Sequence, residues 1–199
     1  MKVIGLTGNI ASGKSLISEF LKSLGAEVID MDSIGKEIQN KNIGNVVEKI
    51  KKTFGSKFIK NGKIDRKRLG NYVFSKPDAL KKLNDIMIPL MTEQLKKILE
   101  KKKKNGAKIV VIDAAILFEA GWDKFADETW VVYTPKEKQL ERLIKREKIS
   151  EEEAKMRIEA QMDIREKMKR ATYIINNSSD TDEVKEQVLK LWNRVKNSI

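Results

Sequence analysis

An α/β fold, built on a parallel five-stranded sheet flanked by helices, is predicted by three features of the chain. Short, continuously apolar and β-branched runs recur along it, stretches with helical spacing separate them, and a glycine-rich turn stands between the first run and the first helix. Lys2 to Thr7 (KVIGLT) is apolar and followed by glycine, as a buried strand would be. Lys14 to Leu24 places Leu16, Ile17, Phe20, Leu21 and Leu24 at helical spacing, and Gly25 supplies the stop. Ala26 to Asp30 (AEVID) reads as the second strand. Lys108 to Asp113 (KIVVID), Thr129 to Tyr133 (TWVVY) and Tyr173 to Asn176 (YIIN) supply three more. Helical pattern separates each from the next, and strands apolar throughout need cover on both faces.

Two stretches read as additions to that core. Residues 34–104 hold no convincing core strand and are mostly helical, with Gly55 to Asp65 as a polar break. Residues 135–171 are charged and helical, and Ser150 followed by Glu151, Glu152 and Glu153 marks a helix start within them. The last helix, Thr181 to about Asn197, puts Val184, Val188, Leu191, Trp192 and Val195 on one face. The expected division is a core of residues 1–33, 105–134 and 172–199, an insertion of residues 34–104, and residues 135–171 as a separate cover.

Composition excludes several chemistries. The 199-residue chain suits one compact unit with room for small inserted subdomains. It has no cysteine, which removes disulfides and thiolate metal sites, and no histidine, which removes the usual general base of a hydrolase and the usual zinc ligand. Acid–base work falls to carboxylates, lysine or tyrosine. The first residues lack the basic leader and long apolar core of a signal peptide, and no segment approaches a membrane span of about 20 apolar residues, so the cytoplasm is the expected location. A net charge of +12 suits either a nucleic acid or a substrate with several phosphates. The densest cluster, Lys96, Lys97 and Lys101 to Lys104, ends a helical pattern, where cations complement the helix dipole, and no aromatics interleave it for stacking on bases. A lysine-rich surface without nucleic-acid binding is the expectation.

The sharpest local signal is Gly8-Asn9-Ile10-Ala11-Ser12-Gly13-Lys14-Ser15, a complete GxxxxGK(S/T) between strand and helix. Glycines let backbone N–H groups curl around phosphates, and the helix N-terminus adds partial positive charge behind them. Lys14 can then reach the β- and γ-phosphates of a nucleotide, and the Ser15 hydroxyl can ligate Mg²⁺. Asp30 and Asp32 follow the second strand at the edge where open α/β sheets bind ligands. If the strand stays extended through both, their side chains face the same way. One could then take the proton of an attacking hydroxyl while the other holds that group or water around Mg²⁺. Capping of the next helix, beginning near Ser33, is the competing role for Asp32. Asp113 ends an apolar strand in the manner of a Walker B acid near the metal, a pattern that many strands share.

In order and at similar spacing, GLTGNIASGKS, VIDMD, IDRKRLGNYVFSKPDALKKL, IMIPLM, VVIDAAILFEAG and the stretch from QLERLIKRE to ATYIINNS resemble the dephospho-coenzyme A kinase family. The resemblance runs from Lys2 to about Leu191. It implies a P-loop NTPase fold of the nucleotide-kinase type, with a helical coenzyme A-binding insertion and a helical lid, the two additions noted above. It implies ATP and Mg²⁺, with Asp32 as the catalytic aspartate and residues Asn9 to Leu16 as the ATP loop. It also implies Arg142 and Arg146 as lid arginines that neutralise phosphate charge, and Arg66, Phe74 and Gln161 on the acceptor side together with Asp30. Without the family, Arg142 and Arg146 read as members of a solvated, salt-bridged helix, and Arg66 as a surface residue. ATP and dephospho-coenzyme A are the expected partners, with no nucleic acid, no membrane, and a monomeric chain.

The chain departs from the family at several points. Asn9 and Ala11 stand where glycines are usual and Leu16 where threonine is common; Ala11 and Leu16 leave the backbone donors intact, so binding is expected to survive. Ile88-Pro89 replaces the usual His-Pro pair, which removes any contact of that histidine with the acceptor, and Ala115 replaces a proline. The activity implied is transfer of the ATP γ-phosphoryl group to the ribose 3′-hydroxyl of dephospho-coenzyme A. A kinase for another small metabolite and a nucleic-acid-stimulated ATPase are the alternatives.

Overall fold

The computed structural model describes the whole chain, Met1–Ile199. Its elements run β1 (Lys2–Gly8), α1 (Lys14–Ser23), β2 (Glu27–Asp30), α2 (Met31–Asn40), α3 (Val46–Phe54), β3 (Ile59–Lys60), β4 (Lys63–Ile64), α4 (Arg66–Phe74) and α5 (Pro77–Lys104). The second half continues with β5 (Ile109–Asp113), β6 (Glu128–Tyr133), α6 (Lys136–Glu147), α7 (Glu151–Glu159), α8 (Ile164–Arg170), β7 (Tyr173–Asn176) and α9 (Thr181–Lys196). Residues group into two compact units, one of Met1–Asp30 with Glu100–Ile199 and one of Met31–Leu99.

In the larger unit five parallel strands lie in the order β2-β5-β1-β6-β7. All five stand where the apolar runs placed them, because a strand covered on both faces must be apolar at nearly every position. One face packs on α1 and α9: Ile4, Leu6, Ile109, Val111, Trp130, Val132 and Ile175 meet Ile17, Leu21, Val184, Val188, Trp192 and Val195. Each fully buried aliphatic or aromatic side chain there contributes about 1.5–3 kcal/mol relative to exposure. On the other face Gly5 leaves room for Leu117, whose Cδ2 would lie 2.7 Å from a Cβ added to that glycine. Helix starts are capped as their sequences suggest. Ser150 accepts from Glu153 N at α7, Asp163 from Arg165 N at α8, and Asp180 from Asp182 N and Glu183 N at α9.

The smaller unit is helical around Ile34, Ile38, Val46, Ile50, Phe58, Leu69, Val73, Met87, Met91 and Leu95. The polar break at Gly55 to Asp65 is in part a β-hairpin, with Ile59↔Ile64 and Lys60↔Lys63 paired antiparallel. Its turn residues Asn61 and Gly62 have φ of 51° and 72°, the left-handed pair a tight hairpin requires. α5 continues through Pro89, and the Thr92 hydroxyl donates to the Ile88 carbonyl at 2.7 Å. No helix is long and apolar enough to cross a membrane.

Candidate active site at the carboxyl ends of the strands

β1 delivers the chain into the loop Asn9 to Gly13 and α1 receives it. Ala11 and Gly13 both sit in the left-handed region, with φ of 60° and 86°. Gly13 is the N-cap of α1, so no side chain caps the helix, and its first turn carries no acid. The leading N–H groups and the positive end of the dipole are thus left for an anion. Ser12 Oγ is buried without a hydrogen-bond partner in the same loop. The Ser12 carbonyl is held from behind by Thr134 Oγ1 at 2.9 Å and Asn177 Nδ2 at 2.7 Å. These contacts brace the loop from behind.

Lys14 Nζ forms an ion pair with Asp113 Oδ1, and both side chains are nearly buried. Asp30 pairs with Asp113 in the β2–β5 register, so two carboxyl-bearing residues end neighbouring strands beside the lysine. The extended stretch stops at Asp30, however. Met31 and Asp32 already belong to α2, with Asp32 an acid of its first turn and Met31 fully buried. The expectation that strand alternation aims Asp30 and Asp32 together is therefore corrected: a buried methionine starts the helix one residue before Asp32, and helical geometry sets the aspartate's direction.

Above the loop, α6 and α7 form a hairpin. Leu143, Ala154 and Ile158 are buried against Leu140, Ile144 and Ile149, and against Ile10 and Ala11 of the loop itself. The methyl of Ala11 thus packs against this cluster, which offsets part of the about 1–2 kcal/mol cost of a left-handed backbone. Arg142 lies over the loop, with Nη1 3.6 Å from where a Cβ on Gly13 would stand. Arg146 points elsewhere: it pairs with Glu147 at 2.9 Å and is more than half exposed. Arg157, which sequence reasoning did not single out, ties the hairpin together through Glu147 at 3.0 Å and Glu153 at 2.7 Å. Burial pushes the Glu147 carboxyl up, but Arg146 and Arg157 outweigh it and hold the group below its ordinary value.

Gln161 reaches the loop, its Oε1 accepting from Ile10 N at 2.7 Å, and Asn9 Nδ2 donates to the Met162 carbonyl at 3.3 Å. Met162 N donates to Glu119 Oε1 at 3.1 Å. Glu119 also holds Lys167 at 2.9 Å, and that ammonium is fully buried. Burial pushes Lys167 below the ordinary lysine value; Glu119 opposes the shift and Lys14 adds to it. Glu119 lies within the ILFEAG segment, but nothing in the pattern distinguishes Lys167 from the other lysines of a charged helix. The remaining acceptor-side candidates stand in the smaller unit at the two ends of α4. Arg66 follows the Asp65 cap, and Phe74 closes the helix with about a third of its surface exposed. Leu16 is also exposed on α1.

The dephospho-CoA kinase family profile matches residues 2–183. A dephospho-CoA kinase from Fusobacterium nucleatum is 42% identical over 187 residues, covering 94% of each chain. One from Symbiobacterium thermophilum is 41% identical over 193 residues, 96% of this chain and 80% of that one. The structure of a dephospho-CoA kinase from Campylobacter jejuni superposes with a TM-score of 0.70 at 34% identity, covering both chains in full. With the loop, the paired Lys14 and Asp113, and these likenesses spanning nearly all of its length, the chain belongs to the dephospho-CoA kinase family.

Proposed function

We propose that this protein transfers the γ-phosphoryl group of ATP to the ribose 3′-hydroxyl of dephospho-coenzyme A, giving coenzyme A and ADP as the last step of coenzyme A synthesis. The observation that carries this is the uncapped start of α1 behind Gly13, with Lys14 and Ser15 at its mouth, in a chain of this family. Residues Asn9 to Leu16 hold the ATP phosphates through backbone N–H groups, and Lys14 exchanges Asp113 for the β- and γ-oxygens. Asp32 orients the acceptor hydroxyl and takes its proton. A bond forms between the 3′-oxygen and the γ-phosphorus as the bond from that phosphorus to the ADP oxygen breaks. Arg142 neutralises charge spread over the transferring oxygens, with Arg146 as the second lid arginine once the hairpin moves. Arg66, Phe74 and Asp30 serve the acceptor, while Gln161, expected there as well, holds Ile10 N of the phosphate loop.

No group of three or more acidic side chains is gathered anywhere in the structure to form a protein cage for a metal. One carboxylate, Asp113, and one hydroxyl, Ser15, fit a Mg²⁺ ion that arrives with the nucleotide, since that ion keeps water and phosphate oxygens as most of its ligands. Bound there, Mg²⁺ would screen the phosphate charge. Residues 34–104 form the coenzyme A-binding insertion and 135–171 the lid, on the core of residues 1–33, 105–134 and 172–199. The kinase works as a cytoplasmic monomer on small molecules, without nucleic acid.

ADP release with ATP and Mg²⁺ is measured against dephospho-coenzyme A, AMP, CMP, shikimate and single-stranded DNA. Turnover confined to dephospho-coenzyme A is expected, and turnover only with another acceptor would overturn the proposed substrate. Asp32→Asn is expected to lose most of its turnover while keeping ATP affinity; near-normal turnover would sink the assignment of the base.

A further inference from the structure

α8 has one fully buried side chain, and it is a charge. Lys167 is 0% exposed, while the other residues of that seven-residue helix are partly or wholly exposed. If covering the helix were its only task, methionine or leucine would serve without the cost of burying an ammonium. The cost is met by geometry. Nζ donates to the Ala115 carbonyl at 2.6 Å and to Glu119 Oε1 at 2.9 Å. Each acceptor then reaches one side of the phosphate loop. The Ala115 carbonyl also accepts from Thr7 Oγ1 at 3.2 Å, at the residue before Gly8. Glu119 Oε1 also accepts from Met162 N at 3.1 Å. That corner grips the loop twice, through Gln161 on Ile10 N at 2.7 Å and the Met162 carbonyl on Asn9 Nδ2 at 3.3 Å.

We infer that Lys167 is a positioning residue for nucleotide binding: through Ala115, Glu119 and the Gln161–Met162 corner it sets the place of Thr7, Asn9 and Ile10, and so the aim of the loop's N–H groups. It does not touch the nucleotide. Glu119 Oε2 is buried without a partner. The carboxylate therefore hangs on Oε1 alone, and losing the ammonium frees the whole corner. This role rests on the proposed use of the loop for ATP.

The test uses the full chain and ATP with Mg²⁺, without acceptor. Calorimetry gives the dissociation constant, steady-state kinetics give KM for each substrate, and melting reports the fold. Lys167→Met should weaken ATP binding about tenfold or more, the scale of one charge-assisted hydrogen bond. KM for ATP should rise in step while KM for dephospho-coenzyme A stays within about twofold, a split that general loss of stability would not produce. Lys167→Met strands the Glu119 charge, which destabilises the fold, so Lys167→Met with Glu119→Gln is the companion. It removes the stranded charge, keeps an acceptor for Met162 N, and should still bind ATP at least about fivefold more weakly than wild type. Wild-type ATP affinity in the folded double variant would overturn the inference, as would failure of both variants to fold, which would assign the pair to folding alone. Absence of ATP binding by the wild-type protein would overturn the phosphotransfer proposal along with it.

Discussion

Replacing Gly13 by alanine tests whether the phosphate loop is held by the close fit seen in the structure. At φ 86° an L side chain is strained, and a Cβ there would fall inside van der Waals contact of Asn177 Nδ2. That amide cannot swing aside freely, since Nδ2 donates to the Ser12 carbonyl at 2.7 Å and the residue's own N–H donates to the Tyr133 carbonyl at 2.8 Å. The left-handed backbone costs about 1–2 kcal/mol, and displacing a buried amide from its acceptor about 1–3 kcal/mol more, for a total of about 2–5 kcal/mol. Gly25 provides the reference. Its φ is 103° but nothing lies within 4 Å of an added Cβ, so Gly25→Ala carries the backbone cost alone. For a chain of this size each kcal/mol is about 2–4 °C in Tm. Thermal melting should therefore place Gly13→Ala well below Gly25→Ala, with the difference reporting the Asn177 clash. ATP affinity should fall for Gly13→Ala and hold for Gly25→Ala. Equal melting temperatures would refute the idea that Asn177 braces the loop.

Two further outcomes follow from the α6–α7 hairpin. Leu143→Ala empties a fully buried position in the cluster against which Ile10 and Ala11 pack, at a cost of about 2–5 kcal/mol. Hydrogen exchange should show 136–159 opening first, and ATP affinity should fall more than Tm. Glu147→Gln removes a carboxylate that Arg146 and Arg157 hold below its ordinary value of 4.5. A depressed carboxylate stabilises above its unfolded value and loses that contribution as pH falls through the folded one. The variant should melt below wild type at pH 7, with the gap closing as pH drops below about 4.5, the unfolded glutamate range. A gap that persists in acid would exclude the ion pairs as its source.

The sequence by itself determined the sheet, the phosphate loop and the helix start at Ser150. These depend on neighbours in the chain: a doubly covered strand must be apolar throughout, a loop around phosphates needs Gly8 and Gly13, and Ser150 bonds to an amide three residues on. The β3–β4 hairpin shows in the sequence only as a polar break, because its two-residue strands are too short to show an alternation. Contacts between distant residues were not legible. Arg142 and Arg146 look alike in sequence, one turn apart, yet one lies over Gly13 and the other pairs with Glu147. Asn177 is 165 residues from the carbonyl it braces, and Lys167 is 52 from its own acceptor at Ala115. Only the tertiary structure decided which of the many charges were taken out of water. Burial is set by what packs around a side chain from elsewhere in the chain, and a lysine carries the same local pattern whether its ammonium meets solvent or Glu119.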